Sequence, residues 1–178
     1  HFEAGILQGL GDKLSAAYFD PREIMRTIKH SMWLMRIDHF DLLMLHEIER
    51  YWNTDYKTGD SIGMTVLEDM KKEGLVQYIG ASSWDCTALA KTAKTGRLDA
   101  ILVAGGINLL SRWMFDELVP ACKEHNVGVI VGASLGQNTP GLIVKNREAL
   151  KPFLNSDDAK LNMFAQKLNR LYDLADEL

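Results

Sequence analysis

The sequence is poor in the features that mark specialised proteins. Only two of its 178 residues are cysteine, Cys86 and Cys122, and they do not stand at metal-ligand spacing. Neither a disulfide framework nor a zinc site is expected, and a reducing setting is the default. There is no basic excess either: 20 Lys and Arg against 24 Asp and Glu leave a net charge of −4 and a pI near 5.7. Nothing supplies the basic stripe that releases counterions, so nucleic acid is not an expected partner. No apolar run approaches the roughly 20 residues of a membrane span, and no basic-then-apolar leader opens the chain. The expectation is a cytoplasmic protein with no membrane partner. A P-loop is missing, and Gly132-Ala133-Ser134-Leu135-Gly136 lacks the three-glycine spacing of a doubly wound dinucleotide fold.

What the chain does have is enough apolar material, 47% of residues against 25% charged, to build one globular domain over 1–178. Glu3 to Leu14 reads as a short amphipathic helix weakened by glycines. Asp20-Pro21-Arg22-Glu23 is a helix start: a capping carboxylate, a proline in the first position and a glutamate three residues after the cap. Ile24, Ile28, Met32 and Met35 mark its apolar face. Asp41 to His46 is a compact apolar run of the kind that forms a strand covered on both faces. The same alternation recurs: helix 62–72 stopped by Gly74, strand 76–80, helix 87–94, strand 99–103, helix 114–125 with Pro120 in an early turn, strand 127–131. A loop with Pro140 and Gly141 then leads to a helical stretch over 157–178. Strands spaced by helices indicate βαβ units and a parallel α/β sheet with right-handed crossovers.

In such sheets the working residues sit just beyond the carboxyl ends of the strands. That rim collects His46 and Glu47, then Ser82, Ser83 and Trp84, then Asn108 behind Gly105 and Gly106, then Ser134, Gly136, Gln137 and Asn138. It holds hydroxyls, amides and one imidazole but no carboxylate pair and no metal cluster, a set suited to orienting a polar ligand rather than to making a nucleophile. Serines and glycines also follow strands simply to cap the next helix, and that reading stands beside the functional one for Ser82 and Ser83. His46 is the more telling residue, because an imidazole leaving a buried strand must find partners. Trp84 can stack on a flat ligand or merely pack.

Ser31 to Arg36 leading into Asp41–His46, then Met64 to Gly74, Tyr78-Ile79-Gly80-Ala81-Ser82-Ser83, Asn108-Leu109-Leu110 and Gly128 to Val131 together resemble the aldo-keto reductases over about residues 20–137. His46-Glu47-Ile48-Glu49 and the Asn108 stretch are most similar to the aldose (sugar) dehydrogenase-like branch. The resemblance implies a (β/α)8 TIM barrel with a nicotinamide cofactor, NADP or NAD, lying over its rim. It further implies an oxidoreductase that transfers hydride between that cofactor and a small-molecule aldehyde, ketone or sugar. His46 falls on the family's histidine that orients the substrate carbonyl, and Ser82-Ser83 on the serine-asparagine pair that holds the nicotinamide amide. Ser134, Leu135 and Gly136 fall on the loop that touches the cofactor phosphates.

Several family features are missing. Ala104 stands where a glutamine usually joins the amide-holding pair, and Gly132 stands about where an aromatic stacks on the nicotinamide. The family's tyrosine, lysine and aspartate come from strands preceding the one that ends in His46. Tyr18 and Lys13 lack that context and do not inherit the roles. Such a barrel typically needs about 250 residues, and the chain opens on His1. The expectation is therefore part of a barrel, belonging to a longer enzyme. The alternatives are a fragment that needs a partner, or a reductase-like binding or regulatory subunit without catalysis.

Overall fold

The computed structural model describes residues 20–52, 54–110, 112–134 and 147–178. Helix α1 (Pro21–Met35) starts as the sequence predicts, with Asp20 accepting from Arg22 N–H at 2.8 Å, and ends on Arg36 in the left-handed region. Strand β1 (Phe40–His46) follows, then the short helix α2 (Ile48–Tyr51) and helix α3 (Ile62–Lys72). Strand β2 (Val76–Ser83) leads to helix α4 (Cys86–Ala93), and strand β3 (Ala100–Ala104) to a 3-10 turn over Trp113–Phe115 and helix α5 (Leu118–Glu124). Strand β4 (Gly128–Gly132) closes the described part of the sheet. A 3-10 turn at Arg147–Leu150 then precedes α6 (Lys151–Leu154) and α7 (Ala159–Asp176).

The sheet runs β1-β2-β3-β4 and every pairing is parallel. Chain order is spatial order, with no reversal, so this is the singly wound progression of a barrel wall rather than a doubly wound sheet with a switch point. Period-two alternation then sorts the strands. Leu45, Ile79, Ala81, Ile101 and Val103 lie between 0 and 5% exposed, buried together with Met64, Leu67 and Met70 of α3, Leu89 of α4 and Leu118 of α5. The opposite face carries Leu42, Met44, Gly80, Leu102 and Ile130. There Ile130 is 42% exposed, while an added Cβ on Gly80 would meet Met44. Among the described residues, helices thus cover the sheet on one side only.

Charge fastens the amino end. Asp99 lies just before β3 rather than in it, where it accepts Ile79 N–H at 2.8 Å and pairs with Lys71 at 2.5 Å. Arg97 ties Glu68 of α3 to Asp60 and to the Thr58 carbonyl. The carboxyl-terminal helices bury Leu150, Ala165 and Leu168 as a set outside the main core cluster. Arg147 bridges to Asp173 and Asp176 of α7.

Three expectations need adjusting. Strand β2 continues through Ser83, the predicted helix over 114–125 divides into a 3-10 turn and α5, and the final helix is α7 preceded by helical turns. The helix read over Glu3–Leu14 and the loop with Pro140 and Gly141 lie outside the described residues. Among the described residues no helix is long and apolar enough to cross a membrane.

Two outcomes follow. A Cβ on Gly80 would stand 2.5 Å from the Ala100 carbonyl oxygen, which belongs to a neighbouring strand and cannot step aside. We expect Gly80→Ala to lose about 1–3 kcal/mol in urea denaturation; an unchanged midpoint would mean β2 and β3 stand further apart. Burial pushes the Cys86 thiol up to about 12 and the Cys122 thiol up to about 11, Asp85 and Cys122 adding to the first. Both thiols should resist a thiol reagent at pH 8 until the chain unfolds, and prompt labelling of the native protein would contradict their enclosure.

Candidate active site at the carboxyl rim

The row His46, Ser82, Leu102, Ile130 runs straight across the sheet, one residue per strand, by register. All four belong to the uncovered face. His46 ends β1, and its ring is solvent-exposed rather than enclosed, so the demand that a buried imidazole find partners does not arise. Its backbone is nevertheless fixed. Trp52 donates its indole N–H to the His46 carbonyl at 2.9 Å. A Cβ on Gly63 would fall 2.5 Å from that indole, so the glycine is what admits the ring. Glu47 turns the chain with φ of 50°, a conformation that costs a non-glycine residue about 1–3 kcal/mol. The rim histidine is held from behind by strained backbone and one tryptophan.

Alternation separates the two adjacent serines. Ser82 shares the face of His46, and Ser83 points to the helix layer. Ser82 donates to the Leu45 carbonyl at 3.2 Å and is 8% exposed. Ser83 donates to Glu49 Oε2 at 2.6 Å and accepts Asp85 N–H at 2.8 Å. Asp85 in turn caps α4 by accepting Ala88 N–H at 3.0 Å. Asp85, not Ser83, is therefore the cap of α4, and Ser83 braces the turn that leads to it. A hydroxyl has one proton and two lone pairs, so both serines have given their protons to the protein. What Ser82 can still offer a ligand is acceptance.

Trp84 follows directly and is 42% exposed. Its indole lies against Gly105 at the end of β3, where a Cβ would be 3.0 Å from Trp84 Cζ3. Asn108 Oδ1 accepts Leu110 N–H at 2.8 Å and so serves its own turn. Ser134 is exposed beyond β4, after Ala133 with φ of 53°. Leu135 and Gly136 lie outside the described residues, as do Lys13 and Tyr18.

Sequence reasoning assigned no role to Glu49, Trp52, Gly63 or Tyr56. Tyr56 lies beneath Lys91, whose Nζ is 5.7 Å from the ring centroid. Burial first, then Glu49 and Asp85, push its phenol above the ordinary value. Only Glu49 left a trace in the sequence, three residues past His46 on what proves to be a helix; Trp52 and Gly63 act through the turn that folds the indole back onto His46, and Tyr56 through Lys91, none of which spacing reveals. Among the described residues no group of three or more His, Cys, Asp and Glu is placed to hold a metal ion.

Ser83→Ala should cost about 1–3 kcal/mol in urea denaturation, because it removes two part-buried hydrogen bonds, to Asp85 N–H and to the Glu49 carboxylate. Ser82→Ala should cost less, since Ser82 makes one side-chain hydrogen bond where Ser83 makes two. Equal costs would refute the division of labour between the two.

Comparison with known proteins matches the same architecture. The model of the aldo/keto reductase family matches residues 10–178. The chain is 32% identical over 115 residues to D-threo-aldose 1-dehydrogenase of a Pseudomonas species, covering 65% of this chain and 34% of that one. It is 26% identical over 137 residues to the NADH-specific methylglyoxal reductase of Escherichia coli, covering 76% of this chain and 40% of that one. The apo form of an aldo-keto reductase from Bacillus halodurans superposes with a TM-score of 0.55 at 21% identity, over 77% of this chain and half of that one (50%). The chain thus spans well under half the length of these curated relatives. The four strands among its described residues are part of a (β/α)8 TIM barrel.

Proposed function

The chain belongs to the aldo/keto reductase family, and from that premise we propose that it works within an NAD(P)-dependent oxidoreductase acting on an aldehyde, ketone or sugar. The observation that carries this reading is the exposed imidazole of His46 at the carboxyl end of β1, with Ser82 beside it on the uncovered face. The names of the two curated relatives supply the substrate class, an aldose or a small ketoaldehyde, and one of them supplies NADH. We also propose a cytoplasmic setting, supported by two buried, unpaired thiols.

The rim fits a nicotinamide cofactor by the chemistry of its donors and acceptors. A carboxamide brings two N–H donors and one carbonyl, and Ser82 retains lone pairs that accept from the amide nitrogen. Ser83 contributes by fixing the turn, not by reaching the ligand. Ser134 with Leu135 and Gly136 is proposed for the phosphates. The cofactor supplies hydride exchange with a carbonyl carbon. His46 orients the carbonyl oxygen by hydrogen bonding, and the pinned backbone behind it keeps that donor in place without reorganisation during the reaction.

A second reading, a binding subunit without turnover, draws on one observation: both rim serines have spent their protons on the chain itself. One experiment separates the two. In the protein assayed with NADH or NADPH and a panel of aldehydes and sugars, His46→Ala should lower turnover by about 100-fold while cofactor affinity stays close to wild type. Unchanged turnover removes His46 from the mechanism. Cofactor binding with no turnover in the wild type establishes the second reading.

A further inference from the structure

Helix α1 ends on an apolar surface turned away from the core. Its inward residues Ile24, Met25 and Ile28 pack against the core cluster, and Met32 is buried in it. Just beyond, Trp33 is 71% exposed and Leu34 62%, and Met35 and Ile37 are open as well. The helix end is built to hold this surface. Arg36 N–H donates to the Trp33 carbonyl at 3.2 Å and Ile37 N–H to the Met32 carbonyl at 3.1 Å, the paired bonds that fold Ile37 back beside the last turn. His30 stacks on Trp33 with ring centroids 5.6 Å apart and an interplanar angle of 20°, which orders the indole before any partner arrives. An indole of about 150–250 Å² with three more large apolar side chains beside it reaches the few hundred Å² at which exposed apolar surface marks an interaction site.

We propose that this surface is the interface between two copies of the chain, meeting about a twofold axis that passes between Trp33 and Leu34. Its charges favour a copy of itself. Arg36 and Asp38 flank Ile37. Arg36 makes no ion pair among the described residues, and the Asp38 side chain is 95% exposed, with one carboxylate oxygen on His39 at 2.7 Å. Under twofold symmetry residue i meets j and j meets i, so each Arg36 reaches the Asp38 of the other copy while the apolar side chains pack at the centre. An acidic partner would be opposed by Asp38 and a basic one by Arg36. One arginine beside an aspartate is also too little positive charge to hold anionic lipid. An apolar centre inside a charged border is the make-up of one half of a standard interface, ~800 Å² per partner. The surface lies at the amino end of β1, where α1 delivers the chain, so a copy seated there leaves the His46 rim open. The interface is independent of the cofactor reading.

Sedimentation equilibrium of the protein as it exists, over a dilution series, tests the pairing. The wild type should dimerise reversibly. Trp33→Ala and Leu34→Glu should each weaken the dimer about 30-fold or more, while circular dichroism and the urea midpoint of the diluted monomer stay as in the wild type. Arg36→Asp and Asp38→Arg should each weaken it too, and the double exchange should recover most of the loss, because the pair re-forms with its signs reversed. A wild type that is monomeric at every concentration overturns the proposal, as does a dimer that all four substitutions leave intact. A double exchange as weak as its parents overturns the twofold pairing. Lowered urea midpoints with association unchanged mean that the surface is covered within the chain, which overturns the interface. Monomeric wild type that floats with phosphatidylglycerol vesicles, and stops floating on Trp33→Ala, puts a membrane in place of the second copy and overturns it as well.

Discussion

The register of β2 between β1 and β3 is the constraint on which the rim depends. With Ser82 aligned to His46 on one side and Leu102 on the other, alternation decides that Ser82 faces open space and Ser83 the helices. A slip of one residue would exchange them and push Ile79 and Ala81 out of the core. What enforces the register is the sealed face: five strand residues almost without solvent contact, closed by methionines and leucines from three helices. Hydrophobic burial in one layer thereby sets hydrogen-bond chemistry in another.

The amino and carboxyl ends of this sheet are built differently. At the amino end ion pairs and a carboxylate cap join strands to helices, with Asp99 serving Lys71 and Ile79 together. At the carboxyl end the contacts are single hydrogen bonds, most of them to backbone, as in Trp52 to His46, Ser82 to Leu45 and Ser83 with Asp85, while Ser83 also reaches the Glu49 carboxylate. Conserving rigidity below while keeping ligand-facing groups above is the division of labour expected of barrel architectures. Among the described residues the groups above include the exposed imidazole of His46, indole of Trp84 and hydroxyl of Ser134, with the buried Ser82 left only lone pairs to give.

Much of the fold was legible in the sequence because its signals are local. Asp20-Pro21 marks α1, continuous apolar runs mark the strands, and Gly74 marks the stop after α3. Boundaries slipped where long-range partners intervene: Asp99 reads as strand by its neighbours but is drawn out by Lys71 and Ile79 N–H. The rim was legible as a set of positions, since His46, Ser82, Ser83 and Trp84 follow strands. Its orientations were not. Neighbouring serines look equivalent in a sequence, and only the pleat, together with Glu49 arriving from α2, reveals that one of them serves the turn.

Arg97 carries a consequence for motion. The connection between α2 and α3 is long for a βα loop, and such segments often swing over a site. Here Thr58, Asp60 and Glu68 are all gathered by one guanidinium, Gly59 is packed against Thr95 and Arg97, and Tyr56 is tucked under Lys91 of α4. The segment is bound back along the outside of the helix layer like a strap. Tied in this way to α3, to α4 and to the turn before β3, residues 56–60 are not free to swing over the rim.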